Sequence, residues 1–417
     1  MSLFVRHADL DGQLVNLRAE DGVITELGAD TVARPDDDVV DARGMAIVGG
    51  LVNGHGHAAM TLFRGHGSDL QLQEWLNDKI WPAESRLTAD DCYWGTRLAA
   101  IEMIRSGTTH FFDMYWHPEA VARAAEDAGM RATVGAPLFD GRNPDGLAAL
   151  RDAAIESLDA LEAFGPLITP SLTPHAIYTV SQESLDWVGA TAAERDLVVH
   201  IHIAETRREV DEWMAEHDER PAVYADQRGL LGPRTILAHG SHFDRDELAL
   251  IAERGATIVT NPCSNLKLAS GETFPYPLAR EFGIPVGLGT DGAASNNSLD
   301  LLSDLKVLAL IQKHAAYDST ALPAAEALAV AQGRQSPVLG GRDVEVGAPA
   351  DFLLIDTSLP EMNPGALADN LVYTASGAVV DTTVVAGQVL MRHRHIDGAA
   401  EVIAEARARA ERLTAEE

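Results

Sequence analysis

The fold of this chain is decided by the stretch Ile47-Val48-Gly49-Gly50-Leu51-Val52-Asn53-Gly54-His55-Gly56-His57. The stretch is apolar at its start, rich in glycine in its middle, and ends in two histidines spaced two positions apart. On an extended strand this spacing places both imidazoles on one face. The glycines between and before them let the backbone approach a bound ion closely. The stretch therefore predicts a strand that carries half of a metal site.

Apolar, β-like runs alternate with helical patterns through the middle of the chain, which is typical of a parallel sheet. Eight such runs lie near residues 46–53, 108–114, 131–138, 167–174, 197–204, 235–239, 257–261 and 285–290. Eight strands separated by helices match a (β/α)8 barrel. We therefore predict an α/β fold with a TIM-type barrel over residues 47–344.

Short strand patterns occupy both ends of the chain. Near the N-terminus they are separated by Asp-Gly turns at Asp11-Gly12 and Asp21-Gly22, and similar patterns return near the C-terminus. We expect residues 1–46 and 345–395 to form one small, β-sandwich-like domain. The Ala-, Arg- and Glu-rich residues 396–417 are expected to form a C-terminal helix.

The chain is strongly acidic, with 63 acidic and 32 basic residues among 417 and a net charge of -31. The acidic residues are spread along the chain, which favours a solubilising surface in a salt-rich, halophilic cytoplasm, where screening limits repulsion. Nucleic-acid binding requires a basic surface, so we expect no nucleic-acid partner.

Several features indicate a cytoplasmic location. No run of about 18 apolar residues is present, so we expect no membrane span, and the N-terminus reads directly into a strand without a signal peptide. Cys92 and Cys263 are too few for a disulfide framework. We expect a homo-oligomer that acts on a small molecule.

Polar side chains follow the strands at the end of a barrel where chemistry normally lies. The ends of five predicted strands carry His55 and His57, then His175, then His200, His202 and Glu205, then His239, and finally Asp291. Parallel strands bring these ends to one mouth of the barrel. The convergence predicts a metal site at that mouth.

Histidine nitrogens with a carboxylate oxygen suit one divalent ion, Zn(II) first and Fe(II) as the alternative. His55 and His57 are the first ligands expected. On the fifth strand His200 and His202 share a face. His202 is favoured because it lies nearer the mouth, and His200 is then a residue of the core or a support of the ligands.

Other residues near the mouth leave more than one role open. His239 is either a ligand or a base, and Asp291 is a ligand, a base, or both. Trp75 lies in a long loop after the first strand, where it would wall a ring-shaped substrate. Cys263 has no histidine–acid partner in its sequence context, so we do not expect a nucleophile there.

Segments throughout the chain resemble those of a known family. They cover residues 53–65, 81–88, 173–178, 202–206, 237–239, 265–268 and 289–297. Together they resemble the amidohydrolase superfamily, and specifically its single-metal 5-methylthioadenosine/S-adenosylhomocysteine deaminases. Related triazine and guanine hydrolases share many of these motifs.

The resemblance implies a complete set of site residues. The implied metal ligands are His55, His57, His202 and Asp291. The implied catalytic residues are Glu205, which shuttles a proton to the ring nitrogen, His239, which lies beside the attacking water, and Asp291. The implied substrate contacts are Glu84 with the ribose hydroxyls, His175, and Glu205.

One departure from the family pattern concerns the substrate tail. The family carries an arginine at the end of the third strand, where this chain has Gly135-Ala136-Pro137. Arg142 and Arg151 in the following segment are the candidates to replace it. Ala136 favours an adenosine with a small 5′ substituent over S-adenosylhomocysteine.

The resemblance implies hydrolytic deamination of an adenosine-type nucleoside such as 5-methylthioadenosine, S-adenosylhomocysteine or 5′-deoxyadenosine. Guanine, a triazine or a halogenated heterocycle is the alternative substrate. A two-metal cyclic-amide hydrolase would need a carboxylated lysine after the fourth strand, and no lysine lies near residues 167–175. A non-enzymatic scaffold would be expected to have lost ligands, and this chain retains a full set.

Overall fold

The computed structural model describes residues 2–415. Its strands are β1 Ser2–Leu10, β2 Gln13–Glu20, β3 Val23–Gly28, β4 Asp38–Asp41, β5 Met45–Gly49, β6 Leu51–Gly56, β7 Thr108–Met114, β8 Arg131–Gly135, β9 Pro137–Leu138, β10 Ile168–Pro174, β11 Val198–Ile203, β12 Thr235–His239, β13 Thr257–Thr260, β14 Val286–Leu288, β15 Phe352–Asp356, β16 Val380–Val385 and β17 Gln388–Met391.

The α-helices lie between and after these strands. They are α1 Leu72–Trp75, α2 Trp81–Glu84, α3 Ala89–Ser106, α4 Pro118–Ala128, α5 Leu147–Glu162, α6 Gln182–Arg195, α7 Arg207–His217, α8 Pro221–Gln227, α9 Arg245–Arg254, α10 Pro262–Lys267, α11 Tyr276–Glu281, α12 Leu301–Ala316, α13 Ala324–Ala331, α14 Leu367–Tyr373 and α15 Ala399–Thr414. A π-helical turn, Leu76–Ile80, joins α1 to α2. None of the helices in residues 2–415 is long and apolar enough to cross a membrane.

The larger sheet is the predicted barrel. Its strands follow the order β14-β13-β12-β11-β10-β8-β7-β6, and β9 adds to β10. Every pair in this sheet is parallel. The first and last strands meet where the backbone N–H of Asp291 donates to the carbonyl of His55 at 3.1 Å. The prediction of a (β/α)8 barrel is confirmed.

The second sheet contains strands from both ends of the chain, as predicted. It follows the order β17-β16-β15-β5-β1-β2-β3, with β4 beside β1. Its pairs are mixed, since β1 runs parallel to β4 and antiparallel to β2. Buried side chains such as Leu3, Val5, Leu17 and Phe352 give this sheet a core of its own.

The single strand predicted near residues 46–53 is wrong in its first half. β5 belongs to the terminal sheet, where Ile47 pairs with Leu354, and only β6 enters the barrel. The break falls at Gly50, where an added Cβ would lie 2.2 Å from Thr109 Oγ1. The apolar pattern does not reveal this break because both halves are buried in sheets.

The C-terminal helix α15 packs against α3. Acidic side chains in the first turn of α3 form ion pairs with arginines of α15. Thr88 and Asp91 form a capping box at the N-terminus of α3. Arg412 pairs with the buried Asp91, and Arg409 pairs with Asp90. The helix expected over residues 396–417 is seen as Ala399–Thr414, and Glu416 and Glu417 lie outside the described residues.

Candidate metal centre and active site

Four of the sequence-predicted residues converge at the C-terminal mouth of the barrel. His55 lies in β6 and His57 directly follows it, His202 lies in β11, and Asp291 follows β14. Asp291 Oδ1 lies 3.2 Å from His57 Nε2 and 3.4 Å from His55 Nε2. His202 Nε2 lies 3.4 Å from His57 Nε2. Four atoms able to bind a metal thus face one point.

Each of the three imidazoles is held through its other nitrogen. His57 Nδ1 donates to the carbonyl of Met114 at 2.7 Å, and His202 Nδ1 donates to the carbonyl of His175 at 2.8 Å. A carbonyl can only accept, so each of these Nδ1 atoms carries a proton and Nε2 is the nitrogen left to face the centre. Such support is typical of metal-binding histidines, because it sets both tautomer and ring orientation.

His55 is held in the same way, but by another histidine. Its Nδ1 lies 2.8 Å from His200 Nε2. The structure therefore brings His202 to the centre and places His200 one layer deeper in the barrel. Burial lowers the pKa of His200 well below its usual value, as do the neighbouring histidines, so its ring is neutral.

The residues at this point fit a divalent cation. His55 Nε2 is fully buried and has no hydrogen-bond partner among residues 2–415. Burial alone would lower the pKa of His57, but its contact with the Asp291 carboxylate raises that pKa to about 9. The buried carboxylate thus draws positive charge to this point. Three imidazole nitrogens and one carboxylate oxygen are donors that suit Zn(II) and related ions.

The Asp291 carboxylate is oriented by two hydroxyl groups. Its Oδ2 accepts from Ser264 Oγ at 2.6 Å and from Ser295 Oγ at 2.9 Å, which leaves Oδ1 facing the histidines. Burial alone would raise the pKa of Asp291, but the contacts with His55 and His57 lower it well below its usual value. The residue is therefore an anion as well as a candidate ligand.

His239 and Glu205 flank the centre. His239 Nδ1 donates to Asn265 Oδ1 at 2.8 Å, so its Nε2 is free to accept a proton, and this atom lies 3.9 Å from Glu205 Oε2. Asn265 is itself fixed, because its amide donates to Ser241 Oγ at 2.7 Å. Burial raises the pKa of Glu205 and favours its protonated form. A proton acceptor and a proton donor thus lie side by side.

A cavity of about 100 Å³ opens onto these residues. The predicted substrate contacts Trp75, Glu84 and His175 all line it. Glu84 Oε1 accepts from Tyr115 Oη at 2.7 Å, and its Oε2 accepts from Trp116 Nε1 at 3.3 Å. Glu84 is therefore held with its carboxylate facing the cavity.

Aromatic rings form one wall of this cavity. Phe139 stacks on His175 with ring centroids 4.3 Å apart, and Trp116 stacks on Phe139 at 5.8 Å. Tyr178 lines the same space. The described residues that line this cavity include no arginine or lysine. The wall is suited to flat rings and apolar groups.

The two candidate replacements for the missing arginine point elsewhere. Arg142 binds Glu216 through two nitrogens at 3.0 and 3.1 Å and lies over the ring of Trp213. It borders a neighbouring cleft of about 850 Å³. This cleft shares part of its lining with the cavity that contains Glu84 and His175. Arg151 is half exposed beside Asp152 on α5. Neither arginine lines the cavity that holds Glu84 and His175.

Residues 46–390 match the sequence profile of the amidohydrolase family. The chain belongs to the amidohydrolase family. This membership confirms the resemblance predicted from the sequence motifs.

Individual relatives of this amidohydrolase span nearly the whole chain. A 5′-deoxyadenosine deaminase of Methanoregula boonei is 46% identical over 383 residues, which cover 90% of this chain and 86% of the relative. A 5-methylthioadenosine/S-adenosylhomocysteine deaminase 1 of Archaeoglobus fulgidus is 41% identical over 379 residues, covering 90% and 89%. The crystal structure of an adenosine deaminase from Xanthomonas campestris with bound zinc is 32% identical, with a TM-score of 0.91 over 99% of this chain and 98% of that one.

Sequence reasoning missed most residues that support the site of this amidohydrolase. They are Tyr115, Trp116, Glu209, Ser241, Ser264 and Ser295, together with the role of Asn265. Only Glu209 carried a usable signal, since the sequence Thr206-Arg207-Arg208-Glu209 matches a helix capping box. Ser264 and Asn265 lie in α10 and the others lie in loops, and their approach to the centre depends on the tertiary fold.

Proposed function

We propose that this amidohydrolase catalyses the metal-dependent hydrolytic deamination of an adenosine-type nucleoside to an inosine-type product and ammonia. The observation that carries the proposal is the meeting of one compact cluster of metal-binding atoms with Glu205 and His239 at the floor of an aromatic cavity. The names of the relatives that span most of the chain support the same substrate class.

The ligands of the proposed centre are His55, His57, His202 and Asp291, holding one ion per chain. Zn(II) is the ion we propose, with Fe(II) as the alternative, and the zinc in the similar adenosine deaminase supports this choice. When bound, the ion would supply Lewis-acid chemistry that makes the attacking water acidic enough to react near neutral pH.

The protein's own residues move the protons in this proposal. His239 Nε2 and Asp291 accept a proton from the attacking water and direct the water oxygen at the carbon that bears the amino group. Glu205, whose pKa is raised by burial, donates a proton to the adjacent ring nitrogen. The Glu205 carboxylate then takes the proton of the hydroxyl added to the carbon and passes it to the departing amine, and the proton held at His239 and Asp291 returns Glu205 to its acid form. One water is consumed and one ammonia leaves.

The remaining contacts hold the nucleoside. Glu84 accepts hydrogen bonds from the ribose hydroxyls, because its carboxylate faces the cavity while Tyr115 and Trp116 fix its direction. Trp75 and His175, which both line the cavity, contact the substrate. These contacts select a ribonucleoside over a free base.

The 5′ substituent is proposed to be small and apolar. Ala136 supplies no charge, and the nearby rings of Trp116 and Phe139 are suited to a methylthio or methyl group. Arg142 remains paired with Glu216 at the adjoining cleft. 5′-Deoxyadenosine and 5-methylthioadenosine are therefore the preferred substrates in this proposal.

Ammonia release from a panel of compounds tests the function. The panel contains 5′-deoxyadenosine, 5-methylthioadenosine, S-adenosylhomocysteine, adenosine, guanine and melamine. Release from the adenine nucleosides supports the proposal. Release from guanine or melamine alone would contradict the proposal and identify a different ring system as the substrate.

We also propose that the protein works in a salt-rich cytoplasm and assembles as a homo-oligomer. The net charge of -31 supports the first part, because added salt screens repulsion among surface carboxylates. Thermal unfolding in low and molar KCl tests it, and an unchanged melting temperature would contradict it. Sedimentation of the purified chain tests the assembly.

A further inference from the structure

We propose that Glu209 is a positioning residue that fixes the direction of Glu205, an inference that rests on the proposed deamination. Glu209 lies in the first turn of α7, just beyond the end of β11. Its Oε1 accepts from the backbone N–H of Ala204 at 2.8 Å, and its Oε2 accepts from the backbone N–H of Glu205 at 2.8 Å. One carboxylate thus binds the backbone of the proton shuttle and of the residue before it.

The conformation of Ala204 explains why both N–H groups reach one carboxylate. Ala204 has a φ of +51°, a left-handed conformation that is uncommon outside glycine. A left-handed residue within such a turn directs successive N–H groups to one side, where they form an anion-binding concavity. Glu209 fills this concavity, so its two carboxyl oxygens satisfy both N–H groups of the left-handed turn from which Glu205 projects.

The Glu205 side chain depends on this turn because little else holds it. Among residues 2–415 its carboxyl accepts no hydrogen bond, and its ion-pair contact is with His239 Nε2 at 3.9 Å. Its direction is therefore set by its own backbone. The backbone carbonyl of Ala204 is fixed by the N–H of His242, and the N–H side is fixed by Glu209.

The contact differs from an ordinary helix cap. In a capping box the acidic side chain reaches back to the backbone N–H of the N-cap residue, and glutamine serves as well. Here Thr206 is the N-cap and accepts from the N–H of Glu209 at 3.1 Å. The Glu209 carboxylate does not bind the N–H of Thr206. Its two oxygens instead accept from the N–H groups of Ala204 and Glu205. In glutamine an NH2 group replaces one of the two acceptor oxygens, so in the same position a donor would face one of the two N–H groups.

The first experiment compares Glu209→Gln with a matched control on the same helix, Glu212→Gln. Glu212 is exposed and pairs with Arg208, so its substitution removes one charge from α7 without touching the β11 turn. With 5′-deoxyadenosine as substrate, we expect E209Q to lose about 10- to 100-fold in kcat, since a misplaced catalytic group costs this much. KM and bound zinc per chain should stay close to those of the unmodified enzyme, and E212Q should keep its kcat.

A double substitution then tests whether Glu209 acts through Glu205. If it does, E205Q/E209Q should be as slow as E205Q alone, because residues that act as a unit are not additive. A normal kcat in E209Q, a loss of zinc in proportion to activity, or a further loss in the double variant would each overturn the positioning role. Absence of ammonia release from the unmodified, zinc-loaded enzyme would instead overturn the proposed function, and this inference with it.

Discussion

His55 Nδ1 lies 2.8 Å from His200 Nε2, so a histidine of β6 and a histidine of β11 are joined directly beneath the proposed metal centre. The contact explains why β11 carries two histidines on one face. His202 reaches the mouth, whereas His200 accepts the Nδ1 proton of His55 and leaves His55 Nε2 free for a metal. His200 thus orients His55 as backbone carbonyls orient His57 and His202.

Replacing His200 by alanine should weaken metal binding without removing a ligand. We expect the zinc affinity of H200A to fall about 10- to 100-fold, because loss of a group that orients a metal-binding histidine typically costs this much. Competition with a chromogenic chelator measures the affinity. The exposed His314 on α12 provides the control variant, H314A. Equal zinc affinities in H200A and H314A would contradict the supporting role.

The residues predicted at the mouth could be found because strand ends converge in any parallel barrel. His55 and His57 stood out by their spacing, and the choice of His202 over His200 followed from distance along the strand. Asp291 followed from its place after the last strand. Each of these inferences needed only the order of the strands and the rule that chemistry lies at their C-terminal ends.

The supports of the site could not be predicted in the same way. Ser264 lies in α10 and Ser295 in the loop after β14, and both reach Asp291 only through a tertiary arrangement that sequence patterns do not encode. The ion pair between Arg142 and Glu216 could not be predicted either, because Glu216 lies 74 positions away on α7. The split of the first strand at Gly50 was missed because both halves are apolar.

Replacing Glu205 by glutamine should abolish most turnover while the metal is retained. We expect kcat to fall by about 10²- to 10⁴-fold, which is the usual contribution of a general acid or base. Steady-state kinetics together with metal analysis separate this outcome from loss of the centre. Near-normal turnover in E205Q would move the proton shuttle to another residue, and His239 would be tested next.

The buried Asp304 should make stability fall as pH rises. It accepts from Asn296 Nδ2, and burial raises its pKa from 3.8 to about 7. The folded chain then holds a proton that the unfolded chain releases between these values, so this group favours folding at low pH and loses that effect as pH rises through about 7.

Urea unfolding of Asp304→Asn at pH 5 and pH 8 measures this linkage. The substitution removes a buried charge that exists only at the higher pH, so its effect on the free energy of unfolding should be more favourable at pH 8 than at pH 5. The exposed Asp369 on α14 supplies the control, D369N. Equal effects of D304N at the two pH values would show that Asp304 is ionised in the folded chain throughout.

The enzyme should prefer a small 5′ substituent on its substrate. A charge-assisted hydrogen bond to a carboxylate contributes about 1.5–3 kcal/mol, and Ala136 offers none. We therefore expect kcat/KM for S-adenosylhomocysteine to be about 10- to 200-fold lower than for 5′-deoxyadenosine. Equal values would show that another cation meets the tail. Arg142→Ala, measured with both substrates, would then test whether Arg142 leaves Glu216 to do so.

The central claim is that one metal ion at the barrel mouth enables deamination of an adenosine-type nucleoside. Its most direct test is ammonia release from 5′-deoxyadenosine as zinc is added stepwise to the metal-free enzyme. We expect the rate to rise with bound zinc, to reach its maximum at one ion per chain, and to yield one ammonia for each nucleoside consumed. Full activity without metal, a maximum that requires two ions per chain, or no ammonia at any zinc loading would contradict it.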